Sequence, residues 1–577
     1  METSLEVVKI ERVDDIPLLL AQMKRMEIAS LLDAHFPVHG NWQGLGLGDV
    51  STVWLSHVLS EGDHRLSSVQ DWVAGRLETL KSCLGASYLR ELDFSDDRLA
   101  QVLDYLGEGD DQWQSYERDQ NATLLRVYDL KVQRVRVDST TAKSYVEVSE
   151  DGLFQFGHSK QHRPDLPQLK ISISALDPLG MPLSTTIVSG ECADDPLYVP
   201  EIQKVQANLE HHGVLYVGDC KMAALPTRAY VAQSQDYYLC PLSAVQMPAP
   251  ELQALLAPVL SGQQLLTPIK RALQATPDEL EHIADGFIHC VKLESEETQW
   301  RENHLVVQSF AHAKAQQKAL DKRIERSLQD IASLNQRGRG HKHLDVEQTQ
   351  AAVQAILKDC DVTELIHVEY HTQTQTKAKR AYRGQAARDV TRVDVTVQAE
   401  RDNAAYDERV RTLGWRVFVC NDLELSLEQA VLAYREEYLI ERNFNRLRGK
   451  MLVMTPLHLD STIRIKGLIR LLCIGLRVLC IVEYTVREAL RKNAEKLAGI
   501  YAGNPKRATA RPTTEMLLKA FSGIHSVNFR HGDTSRNSVS SLNAVQTHIL
   551  SLLGLPVTIY QELDSTSEQP ALEISEP

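Results

Sequence analysis

The chain changes its hydrophobic rhythm near residue 131. Before that point apolar residues recur at helical spacing over 16–36, 50–60, 67–80 and 96–107, with Asp or Ser near several of the starts. The pattern predicts a helical N-terminal domain over 1–130. The stretch "GNWQGLGLGD" (40–49) has several glycines but no strand before it, so it reads as a linker rather than a phosphate loop.

From 131 the period shortens to two. "QRVRVD" alternates, and "LKISISALD" and "MPLSTTIVSG" are strands joined by the turn "DPLG". A helix over 197–213, closed by Gly213, comes next. The short apolar strand "VLYVGDC", the helix "AALPTRAYVAQS" and the strand "DYYLCPL" complete the segment to 242. Three strands, helix, strand, helix, strand describe a mixed sheet begun as a meander and continued through crossovers.

Residues 243–410 interrupt that sheet as an α+β insertion. It has four strand-like pieces, a charged helix over 311–335 and the basic loop "RGRGHKH". The core resumes over 411–455 with "WRVFVCND" and a helix predicted over 426–451. Residues 456–555 read as a helical C-terminal region, and 556–577 as a disordered acidic tail. The run "GLIRLLCIGLRVLCIV" carries Arg470 and Arg477 and is short for a membrane span, so it is assigned to a buried helix, with no membrane partner.

At 577 residues the chain needs more than one core. Its nine cysteines lie singly, no zinc spacing is present, and no signal-peptide pattern is read; the expectation is a reducing cytoplasm. A net charge of −14 argues against a nucleic-acid partner until it is mapped. Residues 1–130 hold 11 Lys/Arg against 23 Asp/Glu, whereas 441–492 holds 11 against 4 and 371–393 six against one. A polyanion therefore suits the central and C-terminal parts only.

Asp138 and Asp219 each end a predicted strand, and ligands of open α/β sheets sit beyond such ends. If the two strands are neighbours, their carboxylates can share Mg²⁺. Two such ions, roughly 3.5–4 Å apart, activate a water and stabilise the departing 3′ oxygen of a phosphodiester. The helix predicted over 426–451 offers a third acid, Glu441, on one stripe with Tyr434, Glu437 and Arg448. An Asp after a strand is equally an ordinary turn or cap residue, and a Glu on an amphipathic helix an ordinary solvated one. Residue types alone leave both readings open.

Three passages go further. "VDSTT" around Asp138, "GHSKQHRPDLPQLKISISALDPLGMPL" (157–183) and "YREEYLIERNFNRLRGK" (434–450) resemble the DDE transposases of bacterial insertion sequences. The branch is the one with a helical N-terminal domain and a long insertion in the catalytic fold; "YVGDCKM" around Asp219 is a looser match. The resemblance implies an RNase H-like catalytic domain in which Asp138, Asp219 and Glu441 are catalytic and bind two Mg²⁺ or Mn²⁺ ions. It also implies double-stranded DNA partners, namely terminal inverted repeats and target DNA, and a homodimer that brings two ends together. The protein would work in a bacterial cytoplasm, at the nucleoid when on DNA. The signature Tyr-x2-Arg-x3-Glu-x6-Lys reads here as Tyr434, Glu437, Glu441 and Arg448, so an arginine has become an acid.

DNA contacts are expected from Tyr434, Arg448, Lys450 and Arg442, from the polar loop of His158, Lys160 and Arg163, and from Trp300 as a base-stacking residue of the insertion. Several of Arg446, Arg464, Lys466 and Arg470 are expected to track the DNA backbone, others to snorkel from buried helices. The reading is a transposase that cleaves element ends and joins their 3′-OH groups to a target. The alternatives are an RNase H-like nuclease without strand transfer, and a DNA-binding descendant that Glu437 has inactivated.

Overall fold

The structure is a computed structural model that describes residues 6–150, 152–158, 163–209, 211–272, 279–295, 298–336, 344–379, 388–455, 457, 459, 461–531 and 534–568. The loop 337–343, Lys160 and the last nine residues lie outside these. The fold is mixed α/β. It divides into one unit of Met1–Cys240, Leu293–Trp300 and Ala433–Pro577, and a second of Pro241–Lys292 and Arg301–Leu432.

The first unit opens with strand β1 (Glu6–Arg12) and the helices α1 (Ile16–Arg25), α2 (Ile28–His35), α3 (Leu47–Glu61), α4 (Val69–Ala74), α5 (Leu77–Leu84), α6 (Asp96–Glu108) and α7 (Asp110–Val127). The apolar period over 16–36 predicted one helix. It is two, because Glu27 takes a left-handed conformation (φ 56°) between them.

The main sheet of this unit is built from β2 (Arg134–Lys143), β3 (Gln168–Leu176), β4 (Met181–Ser189), β5 (Leu215–Val217) and β6 (Tyr237–Pro241), in the order β4-β3-β2-β5-β6. β2, β3 and β4 pair antiparallel, while β5 is parallel to both β2 and β6. Helix α8 (Tyr198–Leu209) leads into β5, and α9 (Leu225–Gln233) joins β5 to β6. The meander with crossovers read from the sequence is present.

In the second unit lie α10 (Ala249–Leu260), β7 (Thr267–Ala272), most of β8 (Leu280–Glu294) and of β9 (Gln299–Ser309), α11 (Phe310–Ser333) and α12 (Val346–Asp359). The ribbon β10 (Ile366–Lys379) and β11 (Arg388–Arg401), α13 (Asn403–Arg411) and β12 (Trp415–Cys420) follow. Leu320, Ile324 and Ile331 of α11 pack on Val353 and Leu357 of α12 and on Val397 of β11. This unit takes in β12 and most of α14 (Leu427–Arg435), which the sequence reading placed in the resumed core.

The remainder returns to the first unit: α15 (Tyr438–Arg448), α16 (Thr462–Lys492), the short pair β13 (Leu497–Ala498) and β14 (Ala508–Thr509), and α17 (Thr514–Lys519). Then come β15 (His525–His531), β16 (Thr534–Val539), α18 (Ala544–Leu553), α19 (Thr558–Gln561) and β17 (Ser565–Glu568). The last two elements stand where a disordered tail was expected from 556. A second sheet, β1-β15-β16-β17, ties the first strand to the last.

Helix α16 explains the uneven charge. Its apolar run is buried, as predicted, and it lies along α6. Contact with α6 is backbone-close: a Cβ on Gly467 would meet the Leu103 carbonyl at 2.1 Å, and one on Gly107 the Ile463 carbonyl at 1.9 Å. Three ion pairs join α16 to the acids of α6 and α7: Arg464–Asp104 at 2.9 Å, Arg470–Asp110, and the fully buried Arg477–Glu117 at 2.9 Å. Acids of the N-terminal domain thus neutralise bases of the C-terminal helix; Arg470 is held inside the protein, while Arg464 stays partly exposed in its pair with Asp104.

Candidate active site

β2 and β5 run parallel in the register Arg134↔Leu215, Val135↔Tyr216, Arg136↔Val217. Two residues beyond the last pair, on the same pleat of each chain, stand Asp138 and Asp219. Neighbouring strands lie about 4.8 Å apart, so the backbone brings the two aspartates alongside each other. The expectation that both end a strand needs one correction. Asp219 follows β5, but β2 continues to Lys143 because β3 pairs with it throughout; only its pairing with β5 stops before Asp138.

A narrow cleft opens between them, lined by Arg136, Val137, Asp138, Val217, Gly218, Asp219, Tyr434, Glu437 and Ile440. Its free space is about 10 Å³, enough for a water or a bare ion. Asp138 Oδ1 accepts the Ser139 N–H at 2.7 Å. Asp219 Oδ1 accepts the Lys221 N–H at 2.8 Å and the Tyr198 hydroxyl at 2.6 Å. Burial, then the charges of Asp219 and Asp138, push the Tyr198 phenol well above its ordinary pKa, so it stays a donor.

The helical side departs from the sequence reading. The predicted helix over 426–451 is broken at Glu436–Glu437, between α14 and α15. The cause is a clamp from β2. Arg136 is bound through Nε to Asp177 Oδ1 at 2.9 Å and also donates to the Ala433 carbonyl. Arg134 donates to Glu436 at 2.8 Å. The break carries Glu437, with Tyr434 hydrogen-bonded to it, into the cleft. Burial first, then the charge of Glu441, raise the Glu437 carboxyl above its ordinary value; Asp219 adds to this while Tyr434 and Arg136 oppose it. Glu441 lies in the first turn of α15, exposed, and does not line the cleft.

Arg448 is half-buried with Asp138 as its charged neighbour, and its Nε donates to the Phe444 carbonyl at 3.3 Å. Lys450 is exposed just beyond α15. Arg442, partly exposed, is engaged by Glu483 at 2.6 Å, and the buried Arg446 by Glu483 and Glu515. His158 is exposed and gives its carbonyl to Gln168; Arg163 is exposed and paired with Asp165 at 2.7 Å. Trp300 donates from its indole to the Tyr238 hydroxyl at 2.8 Å and is partly buried. Tyr198 and Arg136 went unremarked in the sequence. The alternation in "RVRVD" did hold a signal, because it puts Arg134, Arg136 and Asp138 on one strand face.

By chemistry the donors fit a hard divalent cation: carboxylate oxygens around an ion-sized space. Asp138 and Asp219 would hold it. Among the described residues no three acid, His or Cys side chains already form a metal site.

No protein family and no curated protein matches this sequence. Among solved structures it is similar to a piggyBac transposase in a cryo-EM synaptic complex with hairpin DNA, at 8% identity and a TM-score of 0.33, over 88% of this chain and 78% of that one. A likeness of that degree leaves function to be argued from the site.

Proposed function

We propose that the protein is a DNA transposase that binds the inverted repeats of its own element, cleaves at the ends and joins them to target DNA. The observation that carries this is the in-register placement of Asp138 and Asp219 on adjacent parallel strands, facing an ion-sized cleft. The antiparallel meander extended by two parallel strands suits the RNase H-like fold that the motifs imply. Asp138 and Asp219 would each ligate Mg²⁺ or Mn²⁺, with Glu441 as the third acid by resemblance. Two such ions when bound supply activation of the attacking oxygen and stabilisation of the departing 3′ oxygen. Tyr434 lines the cleft and Arg448, with Asp138 as its charged neighbour, would meet a phosphate; Arg134 and Arg136 hold the turn that follows Tyr434. A homodimer would bring the two ends together.

The test is a nicking and joining assay on duplexes carrying the element ends. Mg²⁺-dependent nicking, joined product from pre-cut ends, and loss of both in Asp138→Asn support the reading. Release without joining would point to a nuclease. One observation favours a second reading: Glu437, where the signature has arginine, adds negative charge beside Asp219. Specific end binding with no nicking in Mg²⁺ or Mn²⁺ would make the protein a DNA-binding descendant.

A further inference from the structure

We infer that Tyr198 is a positioning residue for this site: its hydroxyl holds one oxygen of Asp219 so that the other faces the cleft, and Gly218 leaves the space through which it reaches. The inference rests on the reading of Asp138 and Asp219 as cation ligands.

Tyr198 is the first residue of α8, and that helix is pinned. One turn on, Glu201 is buried and accepts hydroxyl hydrogen bonds from Ser174 of β3 and from Ser184 and Thr186 of β4. Lys204, a further turn along, donates to the same Thr186 at 2.7 Å. A helix fixed to two strands in this way cannot slide, so the Tyr198 hydroxyl arrives at a set point, 2.6 Å from Asp219 Oδ1. Tyr198 and the Lys221 N–H both use that one oxygen of Asp219; among the described residues Oδ2 has no hydrogen-bond partner. A carboxylate held by one oxygen cannot rotate, and the other oxygen is committed to one direction.

Position 218 is part of the same device. A Cβ there would lie 3.0 Å from Tyr198 Cε1 and 2.6 Å from Met222 Sδ. The second is closer than packing allows and the first is tight, so a side chain would push the thioether aside and press on the ring.

The experiment compares the full-length protein with Tyr198→Phe, Gly218→Ala and Asp219→Asn. Mn²⁺ binding is followed by electron paramagnetic resonance of the free ion, together with thermal unfolding and nicking of element-end DNA across Mn²⁺ concentrations. Tyr198→Phe keeps the ring, so its unfolding temperature should match wild type. Its Mn²⁺ affinity should fall about tenfold, the lower end of what losing a ligand's hydrogen-bond partner costs. Nicking should fall by the same factor at low Mn²⁺ and recover at saturation, and Gly218→Ala should shift in the same direction. If Asp219→Asn loses Mn²⁺ while Tyr198→Phe binds it as wild type does, the inference fails and the proposed function stands. An earlier unfolding of Tyr198→Phe with unchanged Mn²⁺ affinity also overturns it, by making the residue structural only. If the wild-type protein binds no Mn²⁺, or Asp219→Asn binds it equally well, the proposed function itself fails.

Discussion

The two sides of the cleft are built on different principles. On the sheet side, Asp138 and Asp219 are placed by β2–β5 register, and a strand cannot shift by one residue without turning its whole buried face outward. On the helical side, Glu437 and Glu441 hang from a chain that breaks between α14 and α15, and the break depends on two arginine side chains. Backbone register is robust to single substitutions; a side-chain clamp is not. The sheet side is therefore where the chemistry is anchored, and the helical side is where it can be tuned or lost.

The largest effect should come from the sheet side. Asp138→Asn or Asp219→Asn should lower Mg²⁺-dependent nicking by about a thousandfold or more, the scale of losing a group at the reacting centre. Thermal unfolding should be unchanged or slightly raised, because an acid is removed from an acidic cluster. Nicking within tenfold of wild type would break the comparison at its stronger half.

The clamp comes next. Arg136 and Asp177 are 2% and 3% exposed, so Arg136→Met would leave a buried carboxylate without its main partner. A loss of about 3–5 kcal/mol in urea unfolding is expected, with weaker nicking as the 433–437 turn loosens. A cost below about 1 kcal/mol would mean the break in the helix has another cause.

Glu441→Gln against Glu437→Gln sharpens the helical side itself. Glu441→Gln should cut nicking by about a hundredfold or more, and Glu437→Gln should leave it within about threefold, measured in the same assay. The reverse result would make Glu437 the third acid and Glu441 a solvated neighbour.

The smallest effect is a pH dependence in metal-free buffer. Burial and the Glu441 charge raise the Glu437 carboxyl, so the folded protein binds that proton more tightly than the unfolded chain does. Its contribution is complete below the ordinary glutamate range and is lost as pH rises through the folded value. Glu437→Gln should flatten that part of the stability–pH curve, read from unfolding midpoints between acid and neutral pH.

These particulars show what a sequence holds. Period-two alternation marked β2, β3 and β4, and a short apolar run marked β5, because strand signals are local. That β2 and β5 are neighbours has no local signature, yet it is what brings the two aspartates together. "YREEYLIERNF" is composed largely of good helix formers, so nothing in it announces a break; the break is imposed from Arg134 and Arg136, far away in the chain. The partners of the basic stretch 441–492 are illegible in the sequence for the same reason. Much of its charge is matched by Asp104, Asp110, Glu117 and Glu483, whose positions only the packed helices disclose.

One pairing constrains how the molecule comes into being. Among the described residues β1 pairs only with β15, so its ladder closes only when a segment far along the chain is in place. Until then β1 has an open hydrogen-bonding edge, the kind of surface that recruits wrong partners. A chain cut before β15 would keep that edge open, and aggregation rather than partial activity is the expected outcome.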